Sequence, residues 1–196
     1  MGQEYELKYE ATEAQQARIR EALGPIWQEI AMATTYYDTP DRQLSARKWT
    51  LRLRLENGKH ICTLKTPMGT ARGEWETESE TIEAAIPILC KLGCPRELLS
   101  LTAGGVVPIS GAAFTRLAGQ VRFGASRLEL ALDRGKLTAG PLEAPLCEVE
   151  VELKEGSAGD ADRYAADLAK CYGLAELPTS KFKRALALRT EYEKTL

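Results

Sequence analysis

Several stretches of this chain alternate charged and apolar residues with a period of two, and the charges are sorted by sign. Glu4-Tyr5-Glu6-Leu7-Lys8-Tyr9-Glu10, Thr50-Leu51-Arg52-Leu53-Arg54-Leu55-Glu56 and Cys147-Glu148-Val149-Glu150-Val151-Glu152-Leu153-Lys154 are the longest. Arg127 to Asp133 and Glu74 to Glu78 repeat the pattern. A period of two places alternate side chains on opposite faces of a strand, so these segments predict a sheet with one aliphatic and one ionic face. Asn57-Gly58 sets a hairpin between the strand 50–56 and a returning strand 60–66.

The ionic face constrains function as well as fold. Same-face neighbours on a strand lie about 6.6 Å apart, so Glu148, Glu150 and Glu152 span roughly 13 Å of one surface. Glu4 and Glu6 share a face, and Glu129 and Asp133 flank Ala131. Like charges so placed repel, and a bridging divalent cation removes the penalty; carboxylate oxygens suit Mg²⁺, Mn²⁺ or Ca²⁺. Arg52 and Arg54 share a face, with Lys65 on the strand paired to theirs, and create the opposite need for an anion with several oxygens. Carboxylates for a metal together with arginines for an anion describe a metal–polyphosphate site.

Helical segments fill the gaps. Thr12 to Leu23 opens on a capping-box pattern, Thr12-x-x-Gln15. Thr81 to Leu92 is interrupted by Pro87, which is expected to divide or kink it. Pro95–Leu101, Ser157–Tyr172 and Ser180–Tyr192 follow, and the stretch 103–111 reads as a loop between helices. The apolar stripes of these helices need partners, and the strands' aliphatic faces supply them. The charged faces then turn inward, toward a channel holding water and ions. The plan is α+β, with about eight mainly antiparallel strands in a single domain, 1–196.

Composition narrows the alternatives. Twenty-six basic against 28 acidic residues, a net charge of −2, argue against a nucleic-acid coat or a polybasic membrane binder. His60 is the single histidine, which rules out multi-histidine metal sites, and beside a hairpin turn it reads as solvated. The five cysteines form no CxxC and are odd in number, so they read as free thiols in a reducing cytoplasm, Cys90 and Cys94 facing the core. Trp27, Trp49 and Trp75 read as packing residues. No apolar run is long enough for a membrane span and the N-terminus lacks a signal-peptide pattern, so a cytoplasmic protein is expected, monomer or homodimer.

The chain also resembles a known family. Glu4-x-Glu6-x-Lys8 is similar to the ExExK motif of CYTH domains, the triphosphate tunnel metalloenzymes. Tyr36-Tyr37-Asp38-Thr39-Pro40-Asp41, Leu51-Arg52-Leu53-Arg54, Leu64-Lys65-Thr66 and Arg72-x-Glu74 resemble its next segments, in order. Arg116, Leu130-Ala131-Leu132-Asp133-x-Gly135, the C-E-x-E-x-E-L segment from Cys147 and Ser180-Lys181-x-x-Arg184 complete the likeness. It is nearest to bacterial inorganic triphosphatases, in their CYTH part without the histidine-containing helical domain. The resemblance implies an antiparallel eight-stranded β-barrel, open as a tunnel, with helices packed on the outside. Glu4, Glu6, Asp133, Glu148 and Glu150 would hold one or two Mg²⁺ or Mn²⁺ ions, with Glu74, Glu76 and Glu152 as further candidates. Lys8, Arg52, Arg54, Lys65, Arg116, Lys181 and Arg184 would hold the triphosphate. Glu6 and Lys8 would serve the chemistry, Glu6 by positioning and activating water. Where the family has further basic residues after Arg116 this chain has Leu117-Ala118-Gly119, leaving Arg122 and Arg127 as substitutes or as surface residues. The expected activity is metal-dependent hydrolysis of inorganic triphosphate. The alternatives are a tunnel enzyme for thiamine triphosphate or nucleoside triphosphates, class IV adenylate cyclase included, or a non-catalytic polyphosphate-binding module. Acids that repel an anion speak against the last.

Overall fold

The N-terminal stretch joins both ends of one sheet. The computed structural model describes residues 2, 3, 5–24, 26–68 and 71–195, with backbone only at 2, 3, 68, 71 and 72. In chain order the elements are β1 (Gly2–Gln3), β2 (Glu6–Glu10), α1 (Glu13–Leu23), β3 (Trp27–Asp38), α2 (Gln43–Ala46), β4 (Thr50–Glu56), β5 (Lys59–Met68) and β6 (Ala71–Glu78). Then come α3 (Ile82–Lys91), α4 (Glu97–Leu101), β7 (Val107–Phe123), β8 (Ser126–Ala139), β9 (Leu142–Glu155), α5 (Ala158–Tyr172), β10 (Ala175–Glu176) and α6 (Lys181–Glu193). The strand order is β1-β6-β5-β4-β3-β7-β8-β9-β2-β10, with every pairing antiparallel. β1 pairs with β6 and β2 with β9, yet only residues 4 and 5 separate β1 from β2. Three Cα-to-Cα steps reach at most about 11 Å, so the sheet curls until its two sides meet at this stretch. The eight strands of five residues or more, β2 to β9, are the number expected.

The aliphatic strand faces point outward, under helices. Leu128, Leu130, Leu132, Val149 and Val151 are buried with Ile19 of α1 and Ala161, Ala165 and Leu168 of α5. On the other side Leu51, Cys62, Leu64 and Trp75 are buried with Leu44 of α2, Ile82, Ala85, Ile86 and Leu89 of α3 and Leu98 of α4. Each fully buried leucine contributes about 1.5–3 kcal/mol over an exposed one. Trp27 and Trp49 pack against these clusters, as expected. The capping box is present: Gln15 N–H donates to Thr12 Oγ1 at 3.2 Å and Thr12 N–H donates to Gln15 Oε1 at 2.7 Å. Cys90 and Cys94 are free thiols. No helix among the described residues is long and apolar enough to cross a membrane.

The expected outer placement holds for α1, α3, α4 and α5, while α6 takes the inner face at one end. Phe182 and Ala185 pack with Ala112, Phe114, Leu137 and Leu146. Those residues share their strand faces with Arg116, Asp133 and Glu148, being an even number of positions away.

One expectation fails and another is narrowed. The stretch 103–111 is not all loop, because β7 begins at Val107. Glycine and proline suggested a turn, but pairing with β3 overrides them, and Pro108 sits where the β3–β7 ladder shifts register between Tyr36 and Tyr37. Nor does Pro87 divide its helix: α3 runs unbroken through it. Pro87 and Glu83 lie on the exposed face, where the carbonyl left without a donor is open to solvent.

Gly135 shows why glycine closes the Leu130–Gly135 motif. A Cβ there would lie 2.2 Å from Ala113 O and 2.5 Å from Phe114 Cα, both backbone atoms of the neighbouring strand. Gly135→Ala is expected to destabilise the protein by about 1–3 kcal/mol, as overpacking does, measured by urea denaturation.

Candidate active site

The ionic strand faces converge on one cavity of about 860 Å³. Glu6, Lys8, Arg52, Arg54, Lys65, Arg116, Glu150 and Lys181 line it, together with Glu74, Glu76 and Glu152. Strand register arranges them in rows. Arg116, Asp133, Glu148 and Glu10 lie opposite one another across β7–β8–β9–β2; one row on come Ala118, Ala131, Glu150 and Lys8, then Gln120, Glu129, Glu152 and Glu6. The other side carries Tyr36, Arg52, Thr63 and Glu76 in one row across β3–β4–β5–β6 and pairs Lys65 with Glu74. An acid-rich wall thus faces an arginine-bearing one.

Asp133 and Glu148 are fully buried and Glu150 is 8% exposed. Each can offer an oxygen within 4.8 Å of the others'. Arg116 makes a bidentate pair with Asp133, Nε to Oδ1 and Nη2 to Oδ2 both at 2.7 Å, and also donates to Glu150. Lys181 Nζ lies 2.8 Å from Asp133 Oδ2 and 2.5 Å from both Glu148 Oε2 and Glu150 Oε1. Arg184 pairs with Glu148 from the next turn of α6. Burial disfavours the charged forms, but the neighbours win. Lys181 and Arg116 hold the Glu150 carboxyl well below the usual carboxylate range. Glu150 and Asp133 likewise raise the Arg116 and Lys181 pKa values against the cost of burial.

The arginine wall is less satisfied. Arg54 pairs with Glu56 at 2.8 Å, whereas Arg52 has no carboxylate partner among the described residues. The Nε groups of both are buried without a hydrogen-bond partner among the described residues. Burial and the neighbouring Arg52 pull the Arg54 pKa down to about 10, so it remains protonated at neutral pH.

Asp133, Glu148 and Arg184 do not line the cavity but stand behind Lys181, linked to it through the ion pairs above. Glu4 lies outside the described residues, and nothing is described of the Arg72 side chain. Arg127 is a surface residue paired with Glu155 at 2.8 Å, and His60 is half-exposed against Glu80 at 2.9 Å. Charge alternation could not reveal the third wall, where Gln28, Ile30, Met32 and Tyr36 of β3 and Phe114 and Ala118 of β7 face the cavity. Same-face spacing in β3 was the available signal. Glu56, Glu129 and Lys154, which also line the cavity, carried the charge signal but no motif.

The CYTH domain model matches residues 2–186. An inorganic triphosphatase of Haemophilus influenzae is 35% identical over 136 residues, 68% of this chain and 39% of that protein, so the chain spans about two fifths of its relative's length. Among solved structures, a Hippeastrum protein described as an adenylyl cyclase candidate with a dominant triphosphatase activity superposes at a TM-score of 0.62, with 18% identity over 91% of this chain and 93% of its own. An adenylate cyclase candidate of Bacillus halodurans gives 0.63, with 20% identity over 92% and 96%. The curled sheet, the ordered motifs and the matched family model lead to one conclusion: the chain belongs to the CYTH domain family.

Proposed function

We propose that this chain hydrolyses inorganic triphosphate to pyrophosphate and phosphate, with Mg²⁺ or Mn²⁺ as cofactor. The observation that carries the reading is the cavity itself, where buried arginine Nε groups without hydrogen-bond partners among the described residues face an acidic wall. A polyphosphate would satisfy those donors. The inorganic triphosphatase of Haemophilus influenzae and the triphosphatase activity of the Hippeastrum protein support it.

The acidic set fits the cofactor, being made of carboxylate oxygens alone, the donors a hard divalent cation takes. Asp133, Glu148 and Glu150, with Glu6 of β2 and with Glu4, would hold it. When bound it would neutralise charge on the phosphate oxygens. Arg52, Arg54 and Lys65 would grip the phosphate chain from the opposite wall and Arg116 and Lys181 from the acidic end, with Arg184 behind them on Glu148. Glu6 would orient a water and accept its proton as the water oxygen bonds to the terminal phosphorus. The bond to the bridging oxygen breaks and pyrophosphate leaves. Lys8, opposite Glu150 in the ladder, would meet the charge developing on the transferred group.

The neutral wall of Ile30, Met32 and Phe114 favours a second reading, a triphosphate bearing an organic group such as thiamine triphosphate or a nucleoside triphosphate. A phosphate-release assay over inorganic triphosphate, thiamine triphosphate and ATP, with each metal in turn, separates the two. Phosphate from inorganic triphosphate, dependent on metal, is the expected result. Faster release from an organic triphosphate would favour the second reading, and cyclic AMP with pyrophosphate from ATP would identify a cyclase. No release from any triphosphate with either metal would overturn both hydrolytic readings.

A further inference from the structure

Three cations of this chain already balance the three buried carboxylates at the acidic end of the bore. Asp133, Glu148 and Glu150 are matched by Arg116, Lys181 and Arg184, each paired with at least one of them. Lys181 differs from the two arginines in reaching all three, at 2.5 to 2.8 Å. Its ammonium therefore stands at the common focus of the acidic set, where carboxylate oxygens come within 4.8 Å of one another. It is the first residue of α6, whose Ser180 cap and whose Phe182 and Ala185 packing hold the helix in place independently of that ion cluster. The side chain can leave the triad without undoing those contacts.

We infer that Lys181 is an internal counter-ion, holding the carboxylate triad and giving it up only when a divalent cation and a polyphosphate bind together. The argument is electrostatic. A buried cluster of three acids and three bases is neutral, and two more positive charges without a counter-ion would be costly in so dry a place. Release of Lys181 lowers that cost, and a polyphosphate removes the rest while offering the freed ammonium a new partner. Cation and anion must then raise each other's affinity, because binding linkage is reciprocal. Lys181 is in this sense a positioning residue that couples the binding of the two ligands. The inference rests on the functional reading only in taking a divalent cation and a polyphosphate as the ligands.

The test measures Mn²⁺ binding by electron paramagnetic resonance, without turnover, on the full chain. Wild type is expected to bind Mn²⁺ weakly alone and at least about tenfold more tightly with a methylene-bridged triphosphate analogue. K181M should bind Mn²⁺ about tenfold more tightly than wild type without the analogue, and should gain less from adding it. K181R, which keeps the charge but not the compact ammonium that reaches all three acids, should stay nearer to wild type than K181M does. An analogue that leaves the wild-type Mn²⁺ affinity unchanged would overturn the inference without recourse to any variant. So would a folded K181M, checked by circular dichroism, that binds Mn²⁺ no better than wild type. The phosphate-release assay reads the functional proposal separately. A wild type that hydrolyses no triphosphate yet shows the Lys181 effect keeps this inference and loses that reading; an active wild type without the effect does the reverse.

Discussion

Arg52→Ala is expected to lower kcat/KM for inorganic triphosphate by about 10²–10³-fold, the usual consequence of removing one preorganised charge stabiliser. Arg52 faces the cavity from β4, has no carboxylate partner among the described residues, and buries an Nε with nothing to donate to. A buried donor left so carries a desolvation cost that a bound anion repays. It also crowds Arg54, whose pKa it helps to lower. The substitution therefore removes no ion pair among the described residues and relieves a like-charge repulsion. Its thermal midpoint should stay unchanged or rise while activity falls. Steady-state kinetics alongside a melting curve checks this, and an Arg52→Ala protein as active as wild type would contradict it. Lys65, which is near Glu74 at 3.4 Å, is a less clean probe of the same wall.

The largest stability effect is expected from Asp133→Asn. The carboxylate is fully buried, takes both Nε and Nη2 of Arg116 at 2.7 Å, and lies 2.8 Å from Lys181. An amide keeps the shape but cannot accept the two parallel bonds of a guanidinium, and it leaves the cluster one positive charge in excess. Removing one partner of a buried pair costs about 3–5 kcal/mol. For a chain of 196 residues each kcal/mol moves the melting midpoint by about 2–4 °C, so a fall of roughly 6–20 °C is expected. Most of that cost is the penalty of an unmatched charge. Arg116→Met in the Asp133→Asn background should therefore recover part of the loss, and a double-mutant cycle from denaturant titrations measures how much. Strictly additive losses would show that the two side chains do not act as a pair.

Where a strand buries one face under a helix and turns the other to the bore, period-two alternation survives in the sequence. That is why β2, β4, β8 and β9, and with them Glu6, Arg52, Arg54, Asp133 and Glu150, could be read directly. β3 lines the bore with Ile30, Met32, Thr34 and Tyr36 and turns Ala31, Ala33 and Thr35 outward. Its two charged residues, Glu29 and Asp38, stand near opposite ends and on different faces, so no alternation marked it. The first residues of β7 were hidden for another reason, since Val107-Pro108-Ile109-Ser110-Gly111 has turn chemistry and only pairing with β3 makes it a strand. The inner position of α6 also lay beyond sequence periodicity. Lys181 and Arg184 sit three residues apart on one helical face, which fixes that they act together but not which side of the sheet they reach. Sheet closure depends on β1 and β2 pairing with different partners, a long-range fact that no local pattern carries.

The most direct test of the account is a crystal structure grown with Mn²⁺ and a methylene-bridged triphosphate analogue, with anomalous scattering at the manganese edge. The account predicts a manganese peak inside the bore against Glu150 and its acidic neighbours, with the analogue's phosphates on Arg52 and Arg54. Manganese and analogue found only on the outer surface, with the arginine wall still empty-handed, would contradict it.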